Sequence, residues 1–62
     1  MSNTGAKNII AGKIPETVYL IVHDKGLAED FAAAINILTS QGWTIEHIWA
    51  TNSFHFGLFR RK

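Results

Sequence analysis

The chain has 62 residues, of which 47% are hydrophobic and 18% charged, with no cysteine and a formal net charge of +1. That length holds one core and excludes a second domain, and the missing cysteine excludes thiol catalysis, Cys-based zinc sites and iron–sulfur clusters. The small charge excludes the broad positive field that non-specific duplex binding needs, even with Arg60, Arg61 and Lys62 clustered together.

At an ordering cost of about 1.5 kcal/mol per residue, a chain this short without disulfides is expected to lean on a metal or a partner chain. Its apolar composition points to self-association. No stretch approaches the roughly 20 apolar residues of a membrane span and the start lacks the apolar core of a secretion signal, so a cytoplasmic location is expected.

Met1 to Lys7 is small and polar and reads as a flexible leader, with residues 8–62 forming a single α+β domain. Asn8 to Ile14 carries Ile9, Ile10 and Ile14 but is broken by Gly12 and stopped by Pro15, which suits a short extra edge strand or an arm. From Thr17 to His23 the β-branched and aromatic run predicts the first main strand. Asp24, Lys25 and Gly26 predict a turn. Leu27, Phe31, Ala34, Ile35 and Leu38 then recur at the spacing of one helix face, up to Gln41. Glu29 and Asp30 complement the positive end of that helix, and Gly42 stands where a left-handed cap is expected.

Trp43 to Thr51 and Phe54 to Arg60 predict a hairpin closed by Asn52-Ser53. A two-residue loop puts Trp43, Ile45, His47, Trp49, Phe54, Phe56 and Leu58 on one face, expected to meet the helix. The other face then holds Glu46, Ile48, Ala50, His55, Gly57, Phe59 and Arg61. Val18, Leu20 and Val22 are expected in the core, and Tyr19, Ile21 and His23 opposite. The resulting architecture is β-α-β-β on a small, mostly antiparallel sheet of order 1-3-2, the last strand central. One helix covers one face only. Tyr19, Ile21, Ile48, Ala50 and Phe59 are therefore expected to form an uncovered patch that serves as a homo-oligomer interface, unless the N-terminal isoleucines fold across it.

No catalytic, metal or cofactor signature stands out. The spacings of His23, His47 and His55 match no metal motif, and the expected register separates His47 from the other two, leaving only an intersubunit pair of His23 and His55. Glu46, placed on a face with His55 and Arg61, reads as a cross-strand ion-pair partner. The scattered glycines form no phosphate-cradling loop. Aromatic and basic residues, namely Trp49, His55, Arg60 and Arg61, are candidate groups for stacking a base and holding a phosphate between subunits.

Gly42-Trp43 before an alternating strand, with the closing Leu58-Phe59-Arg60-Arg61, resembles a family of short strand–helix–strand–strand domains found in bacteria and phages and without assigned activity. The family's usual Gly-Trp-Glu is Gly-Trp-Thr here, with Thr44 in place of the acid. The length and His55-Phe56-Gly57-Leu58 also look like the small tautomerases, but Met1 is followed by Ser2 and not by the proline their chemistry resembles. The reading is a non-enzymatic homo-oligomeric binding module, with phage or mobile-element origin implied by the resemblance. Alternatives are a protein that sequesters a nucleotide-like or phosphorylated ligand and a tautomerase-like enzyme. A protein target also stays open as partner; membrane association is not expected.

Overall fold

The computed structural model describes residues 2–25 and 28–62, in the order β1 (Ser2–Gly5), α1 (Ala6–Ile10), β2 (Tyr19–Lys25), α2 (Ala28–Ser40), β3 (Trp43–Ala50) and β4 (Phe54–Arg61). The strands form one open mixed sheet of order β1-β2-β4-β3. β1 runs parallel to β2, whereas β4 is antiparallel to both β2 and β3. The central position of the last strand and the β-α-β-β core agree with the sequence reading. Gly26 of the expected turn and Leu27 of the expected helix lie outside the described residues; Asp24 and Lys25 end β2.

The N-terminal segment departs from expectation. Ser2–Gly5, read as a flexible leader, is the edge strand, in register with Leu20 to His23. An edge strand bonds through its backbone, so small polar side chains there leave no β signature. Asn8 to Ile14 is not a strand. Ala6 and Ile9, three residues apart, place two fully buried groups on one side of α1. Gly12, at φ +84°, then ends the helix: Lys13 N donates to Asn8 O at 2.8 Å and Gly12 N to Ile9 O at 3.0 Å, the paired bonds of a Schellman cap. Gly12 therefore stops a helix where the sequence reading had it breaking a strand, and the fold carries two helices where one was expected. Gly42 occupies the corresponding left-handed position after α2, as expected.

One core joins all of these elements except β1. Phe31, Ala34 and Leu38 of α2, Ala6 and Ile9 of α1, and Leu20, Val22, Trp43 and Phe59 of the sheet form this one buried cluster, with α1 packed on α2 and β2 and α2 on β2 and β3. Val18, expected in that core, is 61% exposed because β2 begins only at Tyr19.

The choice of covered face also departs from expectation. The two-residue loop holds, with Thr51 N bonded to Phe54 O at 2.9 Å and Ala50 opposite His55. A β-bulge between Ile45 and His47 then makes Glu46 an extra residue and inverts the alternation of β3. Trp43 and Ile45 therefore face the helices together with Phe59, while His47 and Trp49 face away with Phe54, Phe56 and Leu58. Gly57 helps fix this choice. A Cβ on it would lie 2.8 Å from the Phe59 ring and 3.3 Å from the Phe31 ring, so a bare α-carbon is what admits both rings.

If residues 2–10 belong to the core, Ile9→Ala should lower the unfolding free energy by about 2–5 kcal/mol. Denaturant titration measures this. A loss below about 0.5 kcal/mol, typical of surface changes, would place the segment off the core.

Candidate functional site

The face of the sheet opposite the helices is left unused by the core. On β2 it carries Tyr19, Ile21, His23 and Lys25, which alternate with the buried Leu20 and Val22. On β4 it carries Phe54, Phe56, Leu58 and Arg60, alternating with Gly57 and Phe59. Because of the bulge, β3 adds Trp49 and His47.

These rings form a continuous ladder across three strands. His23 meets Phe54 edge-on at 6.4 Å between centroids, and Phe54 meets Phe56 at 5.9 Å. Phe56 stacks on Trp49 at 5.3 Å with 9° between planes, and Trp49 stacks on His47 at 5.5 Å. Such contacts contribute about 0.5–1.5 kcal/mol per pair beyond buried area, and they hold the rings as a rigid surface. Ile21, Leu58 and Tyr19, the last 40% exposed, extend the apolar area beside the ladder.

Charge on this face is largely self-neutralised. Arg60 Nε donates to Glu46 Oε1 at 2.5 Å. That hydrogen bond and the carboxylate's charge push the Arg60 pKa further above its ordinary value. The pair is well exposed, so it orients two side chains more than it stabilises the fold. At the opposite corner His23 Nδ1 pairs with Asn3 Oδ1 at 2.5 Å, tying β1 to the face.

The residues expected to form one interface are split by this geometry. Tyr19 and Ile21 lie on the open face; Ile48 and Ala50 lie on the helix side of β3; Phe59 is fully buried beneath the helices. The bulge explains all three, because it sets Phe59 opposite Ile45 and so puts Phe59, Ile48 and Ala50 on the side of Trp43. The aromatic and basic set is likewise divided. Trp49 and Arg60 share the open face, whereas His55 packs against Phe31 at 5.8 Å between ring centroids, on the helix side. Arg61 lies 4.3 Å above the Trp43 ring and donates to the carbonyls of Thr17 (3.1 Å) and Pro15 (3.0 Å), so its guanidinium clamps the chain ahead of β2. Glu46 shares a face with Arg60, not with His55 and Arg61.

The histidines are redistributed in the same way. His23 and His47 stand at the two ends of the ladder and His55 is on the other side, so His23 and His55, which the sequence reading put on one face and left open as an intersubunit pair, lie on opposite faces of the sheet. Among the described residues no group of three His, Asp or Glu side chains is placed to hold a metal ion, and no helix is long and apolar enough to cross a membrane. Sequence reasoning missed Phe54, Phe56, Leu58 and His47 as surface residues; an extra residue in β3 was the signal required, and nothing at Glu46 marks it.

Comparison with protein-family models, with curated proteins and with solved structures finds no match to this chain.

If the ladder is a coupled unit, a double-mutant cycle of Trp49→Leu and Phe56→Leu should return a coupling of about 0.5–1.5 kcal/mol in unfolding free energy. Additive losses would show that the rings act separately.

Proposed function

We propose that this protein is a non-enzymatic homo-oligomeric binding module whose subunits associate through the open face of the sheet. The observation that carries the reading is the aromatic ladder beside Ile21, Leu58 and Tyr19, on a side that none of the described elements covers.

A second copy fits this face better than a nucleic-acid strand. The cations on it are Lys25 and Arg60, and Arg60 is already engaged by Glu46. A single strand needs a cationic groove along its phosphates in addition to stacking platforms. A self-association surface needs low net charge and a rigid apolar centre, both of which are present. Three strands of seven or eight residues and the short β1 give a footprint of roughly 400 Å² in plan. Side-chain relief brings it toward the roughly 600 Å² per partner of the smaller specific interfaces. Association also answers the stability problem of a 62-residue chain without cysteine, because a partner that binds only the folded state stabilises it.

Binding of a further target is carried by the assembly, and no residue argues for covalent chemistry. The resemblance at Gly42-Trp43 is the support for a phage or mobile-element origin.

Ile21→Glu places a charge in the middle of the face without touching the core, so it should yield a monomer less stable than the wild-type assembly. Light scattering coupled to size exclusion measures the mass and circular dichroism the fold. A wild-type chain that is monomeric at high micromolar concentration would remove the proposal.

A further inference from the structure

The sheet has two free edges, β1 with four residues and β3 with eight. Trp43–Ala50 contains no lysine, arginine or proline, the residues that ordinarily keep an edge from pairing with another strand. Among the described residues its backbone is paired with no element but β4. We propose that this edge pairs with the same edge of a second copy, antiparallel about a two-fold axis between Glu46 and His47, so that two four-stranded sheets become one.

The bulge selects that partner. Arg61 N donates to Val18 O at 2.7 Å, so Arg61, and Phe59 two residues before it, direct their backbone groups to β2. Trp43 and Ile45, which stand opposite them on β3, therefore direct theirs to the free edge. At the hairpin end Thr51 N donates to Phe54 O at 2.9 Å, and alternation from there turns Ala50 and Ile48 outward. The outward positions are thus Trp43, Ile45, Ile48 and Ala50, and the extra residue Glu46 widens the middle interval. An antiparallel second copy presents the same intervals in reverse, Trp43 meeting Ala50 and Ile45 meeting Ile48. A regular strand, with outward groups at every second residue, matches one half of the edge and misses the other. The bulge therefore excludes a foreign strand and admits its own copy.

The side chains obey the same symmetry. Trp43, Ile45, Ile48 and Ala50 lie on the helix side, and Thr44, Glu46, His47 and Trp49 on the open side. Every opposed pair in this register consequently shares a face, as an antiparallel ladder requires. Ile48 is 48% exposed, and Ile45 packs at the margin of the core, so each Ile45–Ile48 contact across the axis covers apolar surface. At the axis Glu46 meets His47 of the second copy. Glu46 Oε1 holds Arg60, while the other carboxylate oxygen and both His47 ring nitrogens have no hydrogen-bond partner among the described residues. An imidazole N–H donating to that oxygen satisfies both groups. The edge is about 27 Å long and one strand wide, which falls short of the roughly 600 Å² per partner of the smaller specific interfaces. Edge pairing alone is accordingly weak and forms at high local concentration. It leaves the open face uncovered, so it adds to association through that face and does not replace it.

Amide hydrogen exchange of the Ile21→Glu chain, from low micromolar to millimolar protein, tests the edge with the open face removed. Exchange at Ile45 and Ile48 should slow at least threefold over that range. Adding Ile48→Pro, which deletes an outward N–H that the fold does not use, should abolish the dependence at Ile45, and so should Ile48→Lys. Exchange at Ile45 and Ile48 that is independent of concentration, or a dependence at Ile45 undiminished by both Ile48 variants, would overturn the pairing. If Ile21→Glu does not fold, the same variants are read in the wild-type chain by light scattering at millimolar protein. Both should lower the mass there, and a mass equal to that of the wild type would overturn the pairing.

Discussion

Two short helices can shield one side of a four-stranded sheet and no more. Which side they shield is decided where β3 gains Glu46 as an extra residue. Before that point Trp43 and Ile45 point to the helices; beyond it Trp49 and His47 point away. The inversion separates the two tryptophans, sending one to the core and the other to the surface. From this follow the filling of the core by Phe59 and Phe31 over Gly57, and the assembly of the aromatic ladder on the opposite side. The position of the bulge thus joins the fold to the face through which we propose that the chain associates.

Much of the fold was legible from local chemistry. The strand through Tyr19 to His23, the helix with Phe31, Ala34 and Leu38, the cap at Gly42 and the hairpin at Asn52-Ser53 each carry their own signal, in propensity, period or turn residues. The bulge carries none, because Glu46 is as ordinary in a regular strand as in an irregular one. One unseen residue was enough to exchange the expected faces of the tryptophan-bearing strand, which is why Ile48, Ala50 and Phe59 were grouped with Tyr19 and Ile21. The N-terminal segment was obscured for a different reason. β1 is held by backbone pairing to β2, and α1 has only five residues, so neither presents the length over which periodicity becomes visible.

The argument from a sheet with one shielded side survives this exchange of residues. A marginal domain with more apolar sheet than helix must place the remainder against something, whichever side chains occupy that remainder. The occupants here are more rigid than those expected, since stacked rings lose less freedom on association than flexible aliphatic chains.

The central claim is that folding stability and association through the ladder face are linked. The most direct test is the thermal midpoint of the wild-type chain across a hundredfold range of protein concentration. Linkage predicts a midpoint that climbs steadily with concentration. A midpoint independent of concentration, with a monomeric mass throughout, would contradict the account.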